Sequence, residues 1–351
     1  MARPGAAAVA PSPGGPPGLK SPAAAADRWG VRRLLLLLTF AVALATTAAP
    51  PADAARRAPC IPGTSGPLCH VWDAKVTFVA DGDTIRVVLD GDRRRAVRTV
   101  RLTGINAMEL RRYSSRASGR VGDCHAVAAT ALVERWIRRA RGRVRLAAQD
   151  PASRSGGRLR RSVLLRVGGR WRDLGRIVMD QGLALWLPNR VESVHNEAYH
   201  RAADRAARGR RGLYDPAACG AGPDQDAPLR MSINWDADGS DGANVNGEWM
   251  RLRNLGARDV SLAGWWFRDS SLVMGAGRRP GFVFPAWAGV PAGGELTLRV
   301  GCGPNDPAAP GELHWCRPAP IFENVVNDAT HLGDGGYLFD PQGDLRASFT
   351  Y

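Results

Sequence analysis

Apolar and β-branched positions cluster in three stretches of the chain, at residues 71–80, 85–89 and 96–105. Short polar turns separate them, Asp81-Gly82-Asp83 after the first stretch and Asp90-Gly91-Asp92 after the second. Runs of this length and composition, joined at Asp-Gly turns, are typical of neighbouring β-strands. The pattern therefore predicts three strands whose ends bring polar side chains to one edge of a rigid sheet.

Apolar positions then recur at helical spacing in three segments, 124–136, 173–182 and 192–211. Asp173 can cap the second helix and Gly182 can end it. Strand-like stretches at 144–146 and 163–167 lie between the first two helices. This mixture predicts a small α+β barrel with attached helices, close to the oligonucleotide-binding (OB) fold.

The C-terminal part of the chain shows a different pattern. Residues 221–227 are rich in Gly, Pro and Asp and are typical of a linker. Beyond them no long helical period occurs, and strand-like stretches alternate with turns. This pattern predicts an immunoglobulin-like antiparallel β-sandwich over 228–351, so the whole chain is expected to be mainly β with helices. The strand-like stretches are 229–235, 248–254, 260–267, 282–284, 295–300 and 337–340.

The N-terminal segment has the features of an export signal. Residues 1–26 are low in complexity, and Arg32-Arg33 precede an apolar run at 34–49 that is too short and too rich in Ala and Thr for a membrane span. Residues 52–54 (Ala-Asp-Ala) fit the small-x-small pattern of signal peptidase sites. We expect residues 1–55 to be a low-complexity segment and signal peptide, and an uncleaved anchor is the alternative. The mature protein would then be secreted, free or associated with the cell envelope, without a stable membrane span.

Six cysteines follow this segment, and no Cys-x-x-Cys spacing occurs among them. An even number of cysteines in an exported chain favours disulfides over metal thiolates. Residues 56–71 form a short lead-in that contains two of the six. Proximity along the chain favours the pairs Cys60–Cys69, Cys124–Cys219 and Cys302–Cys316.

Charge divides the chain into unlike parts. The full sequence has 48 Lys and Arg against 33 Asp and Glu, for a net charge of +15. Residues 56–220 carry 33 basic and 15 acidic side chains, whereas residues 221–351 carry 10 and 16. The basic segment suits a polyanion such as DNA or RNA, and a solvated basic surface is the alternative. The acidic segment is a poor nucleic-acid binder, which favours an adhesive, positioning or stabilising role with a partner that the sequence does not identify.

Four separated motifs follow one another in the basic segment. They are residues 81–84 (Asp-Gly-Asp-Thr), 101–109 (Arg-Leu-x-Gly-Ile-x-Ala-x-Glu), 157–158 (Gly-Arg) and 181–184 (Gln-Gly-Leu-Ala). In this order and spacing they resemble the staphylococcal (thermo)nuclease-like family over about residues 72–215. We assign residues 72–220 to this domain.

The resemblance implies calcium-dependent cleavage of phosphodiester bonds in DNA or RNA. Glu109 matches the residue that orients or deprotonates water, while Arg101 and Arg158 match two phosphate clamps, a task for which planar guanidinium groups are suited. The resemblance also implies that Asp83, Asn106 and the carbonyl group of Ala107 hold Ca²⁺. Hard oxygen donors of this kind are the ligands that calcium prefers.

Two positions depart from the family pattern. Asn106 stands where the family has a second calcium-binding Asp, and Met108 stands where it usually has Pro. Because calcium affinity depends on the number of negative charges, Asn106 predicts weaker calcium binding or a different ion preference. The second clamp also has an alternative, because Arg161 lies close to Arg158 in the sequence.

The C-terminal segment resembles the lamin-tail (immunoglobulin-like) domain over about 228–351. The resemblance lies in residues 247–254 (Gly-Glu-Trp-Met-Arg-Leu-Arg-Asn), 262–269 (Leu-Ala-Gly-Trp-Trp-x-Arg-Asp, with one residue between Trp266 and Arg268), 284–285 (Phe-Pro) and 291–294 (Pro-x-Gly-Gly). It implies a fold and says little of function. We expect Trp265 in the core and Trp266 on the opposite face of its strand.

Two functions are therefore open at the level of sequence. The first is a secreted calcium-dependent nuclease with an immunoglobulin-like positioning or binding domain. The second is a non-catalytic envelope protein that binds nucleic acid or another polyanion through a degenerate nuclease site. The presence of Glu109 beside two arginines favours the first, and Asn106 favours the second. His195 and His200 do not form a His-Glu-x-x-His motif, which argues against a zinc enzyme.

Overall fold

A computed structural model describes residues 55–220, 227–271, 281–324 and 333–351. The predicted signal peptide, up to residue 54, and most of the predicted linker lie outside these residues. Residues 55–220 are called the barrel region below, and residues 227–351 the sandwich region. Among the described residues, no helix is both long enough and apolar enough to span a bilayer.

The barrel region consists of twelve strands and three α-helices. The strands are β1 (Arg56–Pro59), β2 (Leu68–Val79), β3 (Thr84–Leu89), β4 (Val97–Leu102), β5 (Ile105–Ala107), β6 (Leu110–Arg112), β7 (Val121–Gly122), β8 (Arg143–Ala148), β9 (Arg154–Ser155), β10 (Arg158–Val167), β11 (Arg170–Asp173) and β12 (Ala184–Trp186). The helices are α1 (Ala126–Arg139), α2 (Leu174–Asp180) and α3 (Asn196–Arg208).

Five of these strands close into a barrel. β2 pairs with β3, β3 with β4, β4 with β10, β10 with β8, and β8 returns to β2. The β4–β10 pair is parallel and the other four pairs are antiparallel. This closed five-stranded barrel is compatible with the predicted OB-like architecture.

Apolar residues from the strands and helices fill the barrel. Ile85, Val100 and Leu146 on the strands belong to the same buried cluster as Val133 on α1 and Val178 on α2. The Asp173 carboxylate accepts a hydrogen bond from the backbone N–H of Arg176 at 3.2 Å, so it caps α2 as the sequence predicts. The helices therefore pack against the strands of the barrel and share its core.

Within its described residues, the sandwich region has ten strands in two four-stranded sheets and one two-stranded sheet. One large sheet has the order β13-β14-β19-β20, the other has the order β17-β16-β21-β22, and β15 pairs with β18. The strands are β13 (Leu229–Asn234), β14 (Trp249–Asn254), β15 (Val260–Ser261), β16 (Trp266–Asp269), β17 (Phe282–Val283), β18 (Gly289–Val290), β19 (Glu295–Arg299), β20 (Glu312–His314), β21 (Gly335–Phe339) and β22 (Leu345–Thr350).

Both large sheets contribute to one core, consistent with the predicted β-sandwich. Leu252 and Leu298 on one sheet share a buried cluster with Phe267 and Leu338 on the other. The stretch 260–267, predicted as one strand, is divided into β15 and β16 in the structure. A turn interrupts it at Gly264, whose φ of +73° suits glycine.

The barrel and sandwich regions share a further apolar cluster. Trp266, Tyr337 and Phe339 of the sandwich region pack in it with Met108 and Leu185 of the barrel region. Trp265 belongs to the sandwich core, so the two neighbouring tryptophans face opposite sides as predicted. A shared apolar core holds the two regions in a fixed arrangement.

The structure contains the three disulfides that sequence proximity favours: Cys60–Cys69, Cys124–Cys219 and Cys302–Cys316. The second of them lies beside the sandwich region, because the backbone N–H of Cys219 donates to Oδ1 of Asp344 at 2.8 Å. It closes a loop of 95 residues that contains α1, α2 and α3. Such a covalent link restricts the unfolded chain and stabilises the barrel region.

A buried carboxyl group in the sandwich region predicts a pH-dependent stability. Glu248 is 0 % exposed, and burial raises its pKa from 4.5 to about 7 although backbone N–H groups of Ile321 and Phe322 donate to it. Stabilisation from the neutral carboxyl is complete below pH 4.5 and is lost as the pH rises through about 7. We expect Glu248→Gln, which cannot ionise, to raise the free energy of unfolding at alkaline pH by up to about 3 kcal/mol. Urea unfolding at acidic and alkaline pH measures this, and equal pH profiles for the two proteins would contradict it.

Candidate functional site

The predicted site residues lie at one end of the barrel. Asp83 ends the turn before β3, Arg101 lies on β4, and Asn106 lies on β5. Arg158 begins β10, which runs parallel to β4 and places residue 160 opposite Arg101. Glu109 follows β5. Neighbouring strands of one barrel therefore bring together residues that are up to 75 positions apart in the sequence.

Asp83 is the buried centre of this group. It is 1 % exposed and forms an ion pair with Arg101. Its Oδ1 accepts a hydrogen bond from the Thr84 hydroxyl at 2.9 Å, and its Oδ2 accepts one from the backbone N–H of Ala107 at 2.7 Å. The turn before it passes close to its neighbours, since a Cβ on Gly82 would lie 2.6 Å from that of Ala129. Glycine is therefore needed for this approach.

The two predicted clamp arginines face one cavity. Arg101 and Arg158 both line a space of about 270 Å³ between the barrel and sandwich regions. Burial and the nearby Arg158 lower the pKa of Arg101 to about 10, against the opposite influence of Asp81 and Glu109. Arg158 donates to the Thr84 hydroxyl at 3.2 Å. Two guanidinium groups therefore lie next to this cavity.

Arg161, the alternative clamp, lies elsewhere. It is 3 % exposed and donates to the carbonyl groups of Ser153, at 3.0 Å, and Pro151, at 2.7 Å. Its guanidinium group is 4.7 Å from the ring centroid of Trp72. These contacts hold Arg161 in the wall of the barrel, so the structure places Arg158 and not Arg161 beside Arg101.

Glu109 lies in the same electrostatic cluster. Burial raises the pKa of Glu109, and the nearby Asp81 raises it further, while Arg101, Arg158 and Arg268 lower it. The sequence pattern indicates a turn at Asp81 and does not indicate a role for this residue in the site. Burial raises the pKa of Asp81 as well, against the lowering influence of Arg101. The Asp-Gly-Asp motif thus supplies two carboxyl groups to the site, those of Asp81 and Asp83. The repeated Asp in this one turn is the sequence signal that indicates a second carboxyl group.

Asn106 connects the site to the sandwich region. It is 2 % exposed, and its Oδ1 accepts a hydrogen bond from Nη2 of Arg101 at 2.9 Å. Its Nδ2 donates to the carbonyl oxygen of Ser270 at 2.8 Å, across 164 residues of sequence. Both ends of the amide therefore have partners. Arg268 stands in the lamin-tail-like motif, but no feature of the sequence indicates that it or Ser270 lies at this site.

The donors proposed for calcium do not fit that ion well. The two oxygens of Asp83 and the oxygen of Asn106 all accept hydrogen bonds or ion pairs from this chain, and Asp83 is the only charged ligand among the three predicted. In the part of the chain that the structure describes, one group of three His, Cys, Asp or Glu side chains lies close enough to share an ion. That group is Cys124, His125 and Cys219, two of which form a disulfide. No three acidic side chains of the site, all of them described residues, lie close enough together to share an ion.

Comparison with known proteins found no match, either among models of protein families or among curated proteins. The closed five-stranded barrel and the further β-sheets agree with the two predicted folds at the level of architecture. The nuclease-like and lamin-tail-like resemblances themselves stay predictions.

Proposed function

We propose that this protein is a secreted nuclease that hydrolyses phosphodiester bonds in DNA or RNA at the end of its barrel. The observation that carries the proposal is one cavity lined by Arg101 and Arg158, with the carboxyl group of Glu109 in the same electrostatic cluster as these two arginines. Two guanidinium groups can hold the oxygens of a phosphodiester, and a carboxyl group of raised pKa suits a general base. The basic surface of the barrel region would attract the polyanionic substrate.

The proposed reaction uses these groups in one displacement. The oxygen of a water molecule forms a bond to phosphorus while the P–O bond to the leaving group breaks. Glu109 takes a proton from the attacking water, and the leaving oxygen takes a proton from solvent in the cavity. Arg101 and Arg158 stabilise the additional negative charge on the phosphoryl oxygens in the transition state. The resemblance adds calcium to this scheme as an expectation, but no step above passes through an ion.

A second candidate is a non-catalytic module that binds nucleic acid or another polyanion at the cell envelope. The amide of Asn106 favours it, because Arg101 and Ser270 occupy both ends of that side chain. The two guanidinium groups alone would bind phosphate without cleaving it. Three disulfides support an exported location under either candidate. The sandwich region would position the barrel region or bind a further partner.

Cleavage of labelled single-stranded DNA and RNA by the purified, oxidised chain tests this proposal. Arg158→Lys and Arg161→Lys are a matched pair of variants. Both keep the positive charge and lose the planar guanidinium group, which can donate two parallel hydrogen bonds. We expect Arg158→Lys to lower the cleavage rate by about 10²-fold. We expect Arg161→Lys to leave the rate unchanged and to lower the free energy of unfolding by about 1–2 kcal/mol, because it loses hydrogen bonds to buried carbonyls.

Bound but intact strands, in calcium and in chelator, would overturn the nuclease and establish the binding module. Equal loss of cleavage in both variants would instead show that the rate follows the stability of the barrel rather than the clamp. A melting curve of each variant, recorded under assay conditions, separates these cases.

A further inference from the structure

Arg268 of the sandwich region lies next to the residues that the resemblance assigns to calcium. It is on β16 and is 2 % exposed. Its Nε donates to the carbonyl oxygen of Asp269 at 2.9 Å, and its Nη2 lies 3.4 Å from the carbonyl oxygen of Ser270. The same Ser270 oxygen accepts the hydrogen bond from Nδ2 of Asn106 at 2.8 Å. One carbonyl oxygen therefore joins Arg268 to the position where the family has a calcium ligand.

The carboxyl groups that could attract an ion already lie among positive groups of the chain itself. Three carboxyl groups, Asp81, Asp83 and Glu109, lie in one electrostatic cluster with three guanidinium groups, Arg101, Arg158 and Arg268. Burial lowers the pKa of Arg268, while Asp269, Glu109 and Asp334 favour its charged form. A divalent ion bound to Asp83 and Asn106 would have to displace Arg101, whose guanidinium group already pairs with both side chains.

The amide of Asn106 donates a hydrogen bond to the sandwich region that the carboxylate of an Asp could not donate. A carboxylate at this position would place an oxygen against the carbonyl oxygen of Ser270, and neither group could donate a hydrogen bond. The amide donates to Ser270 and accepts from Arg101 at the same time. The departure from the family pattern is therefore an adaptation to the docked sandwich region.

We infer that Asn106 and Arg268 exclude a divalent ion from the phosphodiester site, and that Arg268 supplies the positive charge that the ion would provide. This inference rests on the proposed function. Arg268 is buried and does not reach the cavity wall, so it is a positioning residue that acts through its field on Arg101 and Glu109. The barrel site is then incomplete without the sandwich region, and phosphodiester hydrolysis proceeds in the absence of metal.

Two measurements on the full, oxidised chain test the inference. Cleavage of labelled single-stranded DNA or RNA is measured with a calcium chelator and with millimolar calcium, and calcium binding is measured by titration calorimetry. We expect the wild type to cleave equally in both conditions and to show no saturable calcium binding. We expect the double variant Asn106→Asp, Arg268→Gln to bind calcium and to require it, with at least about 10-fold slower cleavage in chelator than in calcium.

Arg230→Gln, at an exposed position on β13, is the control for loss of one sandwich arginine and should behave as the wild type. If the double variant does not fold by thermal melting, Asn106→Asp alone serves, and gain of calcium binding is again expected. Cleavage by the wild type only in calcium overturns the inference and leaves the nuclease standing.

Absence of cleavage in both conditions overturns the proposed function instead. In that case the calorimetric titration still tests whether the site excludes calcium. Saturable calcium binding by the wild type overturns the inference, and calcium binding gained only by the variants supports it.

Discussion

Replacing Glu109 by Gln is expected to lower the rate of phosphodiester cleavage by about 10³-fold. Gln keeps the size and the hydrogen-bonding oxygen of Glu but cannot take a proton from water. Arg101 and Arg158 still line the cavity in this variant, so affinity for a single strand should stay within about twofold, because phosphate contacts dominate nucleic-acid affinity. Single-turnover cleavage at saturating enzyme measures the chemical step without the influence of binding.

Glu197→Gln is the matched control for this prediction. Glu197 is exposed on α3 and pairs with Arg201 one helical turn away, outside the cavity. We expect this variant to cleave at the wild-type rate. If Glu109→Gln cleaves as fast as the control, another group activates the water, and the carboxyl group of Asp81 in the same cluster becomes the next residue to replace.

The parts of the site that the sequence predicts are those that local chain geometry brings together. Asp83 directly precedes β3 and Arg101 lies on the antiparallel neighbour β4, and the pairing of Thr84 with Arg101 places the turn directly beside that arginine. Asn106 and Ala107 follow on the next short strand. Hydrophobic pattern and turn residues determine such neighbour relations, so a motif of ordered residues is enough to predict them.

The contacts made by the sandwich region were not predictable in the same way. The hydrogen bond from Asn106 to Ser270 spans 164 residues and depends on how two folded regions dock. The sequence shows Asn106 only as a missing negative charge, whereas the structure gives its amide two partners. A single sequence contains no signal for which backbone carbonyl will face a given side chain across such an interface.

The choice between Arg158 and Arg161 shows the same limit within the barrel. Both residues lie on β10, three positions apart, and the glycine directly before Arg158 is the feature of the sequence that favours it over Arg161. Side chains alternate between the two faces of a strand, so positions that differ by an odd number point to opposite sides. Strand register therefore decides which arginine meets the cavity, and it depends on the parallel pairing with β4.

Replacing Trp266 by Ala is expected to lower the free energy of unfolding by about 3–5 kcal/mol, since a large side chain is lost from a closely packed cluster. Trp266 is 4 % exposed and stacks on Phe339 with a distance of 4.3 Å between ring centroids. The same cluster contains Met108, which is adjacent to Glu109, the proposed general base. The loss therefore affects the docking of the two regions as well as their stability. Urea unfolding monitored by circular dichroism measures the change.

Trp249→Ala on β14 is the control, because Trp249 is partly buried and lies on the sheet that is not part of the shared cluster. Its expected loss is smaller, about 1–2 kcal/mol, and its cleavage rate should equal that of the wild type. Trp266→Ala should also cleave more slowly at temperatures where it remains folded, because Ser270 and Arg268 are held at the site through β16. A Trp266→Ala protein that is destabilised but fully active would show that the barrel site works without the docked sandwich region, in contradiction to the role assigned to Arg268.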